Sequence, residues 1–166
     1  SADLQTLRTL VAADDTNVAL LNVMLRKALA DRPPSQSDIV QLEQLAAARP
    51  LDPWPMLQRV TWHEHQGDMA QAADILGQVA EAKGNDPDLF DRLAMLYRKV
   101  GDVEASLAAM ASAVELDPFD VTRRERAAAL AVEAGRKPLA ITHIEAMMLL
   151  EPNEALHHKR RAAIAD

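Results

Sequence analysis

The sequence contains no cysteine, only 3% aromatic residues and five glycines among its 166 residues. Without cysteine the chain forms no disulfide and performs no thiolate chemistry, and the redox compartment stays undetermined. Because hydrophobic residues still make up 49% of the chain, leucine, alanine, valine and methionine must fill its core. No apolar run approaches the roughly 18 residues that a transmembrane helix requires, and we therefore predict no membrane span.

Basic residues are scarce in residues 1–120, which hold 10 Lys and Arg against 19 Asp and Glu, a net charge of −9. Residues 121–166 hold 8 against 6, a net charge of +2, and the whole chain carries −7. An acidic protein without a basic stripe repels phosphate backbones, so we expect no nucleic-acid partner. The basic C-terminal part could hold an acidic segment of a partner, or its charges could form a solvated surface.

What the sequence does contain is a period of 34 residues. Gly67, Gly101 and Gly135 are spaced by that period, and each ends an apolar-periodic run where a left-handed residue after a helix is favoured. A second column holds helix-stopping residues: Pro50, Gly84, Pro118 and Pro152. A third holds acidic residues suited to cap the next helix: Asp52, Asp86, Asp120 and Glu154. Each unit is therefore predicted to be a cap, a helix, a glycine turn, a second helix and a stop.

The unit over residues 87–120 places large, small and aromatic residues at the positions of a known repeat, namely Phe90, Leu93, Ala94, Tyr97, Gly101, Asp102, Ser106, Met110, Ala113 and Pro118. Residues 121–154 and 53–86 keep part of this set, and residues 19–52 are degenerate. On these residues the chain resembles the tetratricopeptide-repeat (TPR) family. The resemblance implies an all-α fold, a right-handed α-α superhelix (TPR solenoid) of antiparallel helix pairs.

Following this period, we predict a single TPR array over residues 1–166. Its parts are a half repeat at 1–18, a degenerate repeat at 19–52, repeats at 53–86, 87–120 and 121–154, and a C-terminal capping helix at 155–166. Within them, residues 3–13 form a second helix followed by a turn at 14–17, and residues 33–37 form a loop. Both ends stop in mid-unit, so we expect a fragment of a longer protein, whose last helix is either a polar cap or a truncated repeat.

Small residues recur where helices are expected to cross, because close helix packing needs a short side chain at the contact. The first helices supply Ala94, Ala128 and Ala162, and the second helices supply Ala72, Ser106 and Ala140. We predict that these side chains are buried at helix crossings.

Arg92, Arg126 and Arg160 share one repeat column on three successive first helices. In the family the first helices line the concave groove, so the resemblance implies a row of guanidinium groups able to bind carboxylates in bidentate fashion. One hypothesis is that this row contacts an acidic segment or C-terminal carboxylate of a peptide partner. The alternative is that Asp88, Asp91 and Glu125 neutralise the row within the chain.

The resemblance also implies which residues line the groove. On residues 53–86 they are Trp54, Leu57, Thr61, Glu64 and His65. The next two units contribute Asp88, Asp91, Met95, Arg98, Lys99, Thr122, Glu125, Ala129, Val132 and Glu133. Trp54 is either a binding hot spot or a residue packed on the preceding helix. Leu57 and Thr61 occupy positions where chaperone-binding members carry a Lys and Asn clamp, so binding to heat-shock chaperone C-termini is not expected.

Residues that carry chemistry are few. Neighbouring helix positions point about 100° apart, so His63, Glu64 and His65 are not expected to share a metal. Glu154 with His157 or His158 offers two ligands on one face, fewer than a zinc site needs. We predict no catalytic residues, metal or cofactor.

The sequence therefore favours a non-catalytic scaffold that binds a protein or peptide partner in its groove. The alternative is an accessory domain of a larger bacterial enzyme or assembly factor that docks onto neighbouring domains or self-associates as a homo-oligomer. Arginine outnumbers lysine by 13 to 5, which is typical of a GC-rich bacterial source. The compartment, cytoplasm or periplasm, stays open.

Overall fold

The computed structural model describes residues 2–14 and 17–165 and contains ten α-helices within them. The helices are α1 (Ala2–Ala13), α2 (Val18–Ala28), α3 (Gln36–Ala48), α4 (Trp54–Gln66), α5 (Met69–Lys83), α6 (Pro87–Val100), α7 (Val103–Leu116), α8 (Val121–Glu133), α9 (Lys137–Leu150) and α10 (Ala155–Ala165). No strand occurs in the described part of the chain, which confirms the all-α prediction. Asp15 and Thr16 of the predicted turn at 14–17 lie outside the described residues.

The chain divides into two compact units, Ser1–Val79 and Ala80–Asp166, with the boundary inside α5. Unit 1 contains α1 to α4 and most of α5, and unit 2 contains α6 to α10. The count of one array, with the repeat boundaries given above, stays a prediction. None of the described helices combines the length and apolar character needed to cross a bilayer.

The column of acidic residues caps the first helices. One side-chain oxygen in each accepts a hydrogen bond from a first-turn backbone amide, at 3.1 Å for Asp52, 3.1 Å for Asp86, 2.9 Å for Asp120 and 3.1 Å for Glu154. These bonds satisfy amides that have no partner within the helix, and a carboxylate there also favours the helix dipole. The caps confirm the start of each first helix in three repeats and in α10.

The three periodic glycines adopt the left-handed conformation that their spacing predicts, with φ of 80° at Gly67, 87° at Gly101 and 69° at Gly135. A Cβ added at these positions would meet no atom within 4 Å. Crowding therefore does not select glycine here. The positive φ does, because an L side chain rarely adopts it.

The predicted loop at residues 33–37 is shorter than expected, because α3 already begins at Gln36. Ser35 precedes the helix, and its backbone amide and hydroxyl donate to Asp38 Oδ2 at 2.8 and 2.6 Å. Arg32 adds two bonds to the same carboxylate, at 2.7 and 3.1 Å. A serine three residues before a carboxylate is a capping signal, and here it starts the helix inside the polar segment.

The small-residue column is buried in both units, with one exception. Ala72, Ala94, Ser106, Ala128 and Ala140 are each at most 6% exposed. In the crossing of α6 and α7, Ser106 Oγ donates to the Ala94 carbonyl at 2.8 Å, so this pair of small residues also carries a buried hydrogen bond. The prediction is wrong for Ala162, which is exposed because no later helix among the described residues packs on that side of α10.

Candidate partner-binding surface

Trp54 begins α4 and is half-buried against the hydrophobic core of unit 1, whose buried members are Val11, Leu21, Met24, Leu25, Leu29, Ile39, Leu42 and Leu45. The Arg26 guanidinium stacks on its ring, 4.3 Å from the centroid, and also donates to Asp52 at 2.9 Å. Such a cation–π contact stabilises the indole in its place. The geometry thus gives Trp54 a packing role in unit 1, and its role as a hot spot stays a prediction.

The other predicted groove residues of unit 1 follow Trp54 along α4. Leu57 and Thr61 are half-buried, and Thr61 Oγ1 donates to the Leu57 carbonyl at 3.1 Å, while His65 is exposed. His63 packs edge-on against Trp62, with ring centroids 4.7 Å apart. That contact agrees with a packed histidine.

In unit 2 the structure places carboxylates beside the arginine row. Arg126 pairs with Asp91 of α6, and Arg160 pairs with Glu125 of α8. Arg92, the third member of the row, is half-buried. A partner carboxylate that approached Arg126 or Arg160 would therefore have to compete with a carboxylate already in place.

These pairs belong to a regular series between successive first helices. Four ion pairs join residues that are 35 apart in sequence: Asp88–Arg123, Asp91–Arg126, Arg98–Glu133 and Glu125–Arg160. An offset of one repeat plus one residue is what a stack of parallel first helices gives when each is shifted slightly along its neighbour. The predicted groove charges of unit 2 are thus largely used to join α6, α8 and α10.

Arg123 is the residue of this surface that the sequence analysis missed. Its side chain is only 5% exposed and lies 2.8 Å from Asp88, 2.9 Å from Asp117 and 3.2 Å from Asp120. Asp91, predicted to line the groove, is instead buried, 3.9 Å from Arg123 Nε, and its Oδ1 has no hydrogen-bond partner among the described residues. A buried charge of this kind needs a paired opposite charge, which Arg123 and Arg126 supply.

Unit 2 also contains an open apolar pocket of about 340 Å³. Its lining comes from α8, α9 and α10, and comprises Glu125, Ala128, Ala129, Val132, Glu133, Ile144, Met147, Arg160 and Ile164. We call this the α8–α10 pocket. Ala128, Ile144 and Met147 form its buried apolar floor. Short side chains on α8 leave the space open, and charged side chains of both signs stand at its edge.

The α8–α10 pocket brings together three residues of the predicted site: Glu125, Ala129 and Arg160. The remaining predicted residues of unit 2 lie elsewhere on α6 and α8: Asp88, Arg98, Lys99 and Thr122 are exposed, and Met95 is half-buried. Ile144, Met147 and Ile164 could not be assigned to a pocket from sequence, because leucine-like residues at helical spacing are normally core.

The two candidate ligand clusters have structural roles. Glu154 caps α10, and His157 Nε2 contacts Glu151 Oε2 at 3.0 Å, with the histidine side chain only 5% exposed. Within the described residues, no three His, Asp or Glu side chains are arranged to hold a metal ion.

Antiparallel helix pairs that repeat every 34 residues, each with a capping carboxylate and a left-handed glycine, define a TPR-type helical repeat protein. Comparison with solved structures agrees. MamA matches the chain with a TM-score of 0.72 at 14% identity, covering 92% of this chain and 88% of MamA. These findings confirm the TPR fold predicted from the sequence.

Two TPR-type structures solved with peptides also match. The second TPR domain of human RPAP3, in complex with an HSP70 peptide, has a TM-score of 0.55 and 20% identity, covering 69% of this chain and 99% of that domain. The type III secretion chaperone SycD of Yersinia enterocolitica, in complex with a peptide of the translocator YopD, has a TM-score of 0.51 and 12% identity, covering 66% and 84%. No protein-family model and no curated protein matches the sequence.

Proposed function

We propose that this chain is a non-catalytic protein-interaction module, and that the α8–α10 pocket of unit 2 receives an apolar side chain from a peptide or helix of its partner. The observation that carries the proposal is the pocket itself: an apolar floor with an open mouth and a charged edge. Its volume of about 340 Å³ lies in the range of binding clefts, and such clefts combine apolar walls with a few orienting polar groups.

Unit 2 is a better location for the main contact than Trp54 in unit 1. Trp54 already packs on the core and under Arg26, so it has less area left to offer a partner. Ala129 and Val132, in contrast, are exposed on the pocket wall. The peptide complexes of RPAP3 and SycD support the proposal by analogy of fold.

The test replaces Ala129 with phenylalanine, which would fill the pocket from an exposed position. Ala111→Phe on α7 of the same unit is the matched control, because Ala111 is also exposed and does not line the pocket. The probe is a set of peptides selected from a random display library on the parent protein. We expect Ala129→Phe to lower their affinity by about tenfold or more, and Ala111→Phe to leave it unchanged. Equal affinity for parent and Ala129→Phe would contradict the proposal.

An acidic segment in the partner is part of this proposal, with Arg160 as its contact. Arg126 is less suited to a test, because its loss leaves buried Asp91 with less compensation. Arg160→Ala has a natural control in Arg161→Ala, since Arg161 pairs with Glu145 and does not line the pocket. We expect acidic peptides to lose affinity only with Arg160→Ala, and to bind the parent more weakly as salt rises. Indifference to both substitutions would remove the acidic segment from the proposal.

Self-association is a second candidate, favoured by two exposed apolar side chains at the ends of α7 and α9. Phe119 is 76% exposed and Leu149 is 84% exposed. Both precede first helices in unit 2 and so lie at the same end of the α8–α9 helix pair. If they mediate association, the mass measured by light scattering will rise with concentration for the parent and not for Leu149→Lys. A constant monomer mass for the parent would exclude this candidate.

A further inference from the structure

Helix α10 is packed far less tightly than the other first helices of unit 2. Of its described side chains, His157 alone is buried, while Ile164 is half-buried and Ala162 and Ala163 are exposed. On α8, five side chains are buried: Arg123, Ala127, Ala128, Leu130 and Ala131. Segments with few buried apolar side chains open locally at a lower free energy than the core.

α10 also forms one wall of the α8–α10 pocket, through Arg160 and Ile164. The floor and the opposite wall belong to α8 and α9, which pack on each other through buried residues such as Ala128 and Ile144. The width of the pocket therefore depends on the position of the least tightly packed helix that lines it.

Polar contacts connect α10 to the rest of unit 2 at three points. Arg160 pairs with Glu125 of α8, and Arg161 pairs with Glu145 of α9 at 2.8 Å, but the groups are a third to a half exposed. Exposed pairs of this kind contribute little. The contact of His157 with Glu151 is different, because the histidine is buried and lies at the start of the helix.

The repeat itself shows what His157 replaces. His157 and Glu151 stand 34 residues after Arg123 and Asp117, and both cations contact the acidic residue six positions earlier, at 3.0 and 2.9 Å. Arg123 also lies within 3.9 Å of Asp88, Asp91 and Asp120. His157 has Glu151 as its ion-pair partner, and its buried Nδ1 lacks a hydrogen-bond partner among the described residues. A buried unpaired nitrogen is relieved by exposure to water, which favours opening.

We infer that α10 is a hinged wall of the pocket, fastened at its N-terminal end by the His157–Glu151 contact. The hinge is the turn of Glu151, Pro152, Asn153 and Glu154 that joins α9 to α10. Release of the contact lets α10 swing away from α8 and widens the pocket to admit the apolar side chain of a partner. What enters the widened pocket rests on the function proposed above, whereas the motion of α10 does not.

The test measures amide hydrogen exchange in the chain without any partner. His157→Gln removes the contact, and His158→Gln is the matched control, because His158 is the exposed neighbour on the same helix. We expect the amides of residues 159–164 to exchange about tenfold faster or more in His157→Gln, while the amides of α8 keep the parent rate. His158→Gln should match the parent throughout.

A second pair of variants approaches the contact from the other side and covers a failure of His157→Gln to fold. Glu151→Gln should accelerate α10 exchange, whereas Glu145→Gln, which weakens only the exposed pair with Arg161, should not. Parent rates in α10 for both His157→Gln and Glu151→Gln would overturn the inference, as would equal acceleration of α8 and α10. Local acceleration of α10 supports the hinge even if Ala129→Phe fails to affect peptide binding, so the two proposals can fail separately.

Discussion

Substitution of Arg123 by methionine is the sharpest test of how unit 2 is held together. The guanidinium is 5% exposed and lies among four aspartates, of which Asp91 is itself only 8% exposed. Methionine keeps much of the length and apolar contact of the arginine stem but removes its charge. Asp91 then retains Arg126, whose side chain is about half exposed, as its remaining cation.

The magnitude follows from the exposure of each partner. Removing one member of a buried ion pair costs about 3–5 kcal/mol, because the other charge stays buried without compensation. Asp88, Asp117 and Asp120 are 85%, 44% and 34% exposed, and can regain water when the arginine is lost. Each of those pairs therefore adds only about 0–1 kcal/mol. Since Arg126 still partly neutralises Asp91, we expect a loss near the lower limit, about 3 kcal/mol.

The assay is urea denaturation followed by far-ultraviolet circular dichroism, since both tryptophans of the chain lie in unit 1. The control is Arg98→Met, which breaks the pair with Glu133, where both side chains are half exposed. It should cost no more than about 1 kcal/mol. Adding Asp91→Asn to Arg123→Met should recover part of the loss, because the uncompensated charge is gone. If Arg123→Met is no less stable than Arg98→Met, the buried charge cluster does not stabilise the fold as argued.

Three further predictions concern stability. Ala94→Leu should cost about 1–3 kcal/mol by overpacking the crossing of α6 and α7, and an unchanged melting temperature would refute the crossing assignment. Burial raises the pKa of Asp38, but hydrogen bonds from Arg32 and Ser35 outweigh it and lower that pKa to about 2; the carboxylate thus stabilises the fold above about pH 4, and this stability is lost as the pH falls through 2. Asp38→Asn should accordingly cost about 2 kcal/mol at pH 7 and much less at pH 2 in urea titrations. Burial, with a smaller effect of Arg124, lowers the pKa of His143, so stability should fall as the pH drops below about 6.5, and His143→Gln should flatten that dependence; an unchanged slope would contradict it.

Most of the secondary structure could be predicted because its signals are local. A capping carboxylate acts on amides two or three residues away, and a left-handed glycine ends the helix that precedes it. Asp52, Asp86 and Asp120 therefore marked helix starts, and Gly67 and Gly101 marked helix ends, without knowledge of any tertiary contact. The loop at 33–37 was misjudged because its two prolines outweighed the weaker capping signal that follows them.

The candidate site could be predicted only in part, since its residues meet through the stacking of helices. The column of Arg126 and Arg160 was visible, but the carboxylates that neutralise these arginines come from helices 35 residues earlier. Asp91 has the same residue type as exposed Asp88, and only its position between α6 and α8 makes it buried. A charged residue can be solvated or paired, and the sequence alone does not distinguish the two.

The amino-acid sequence by itself determined the repeat, the helix boundaries and the crossings marked by small residues, because each depends on backbone conformation or side-chain size within one unit. The tertiary structure alone decided that Arg123 and Asp91 are buried together, that the α8–α10 pocket exists, and that His157 fastens the helix forming one wall of it. These features depend on the small shift and tilt of each helix relative to the next. A period of 34 residues says which helices are neighbours, and the packing of their side chains decides how closely they meet.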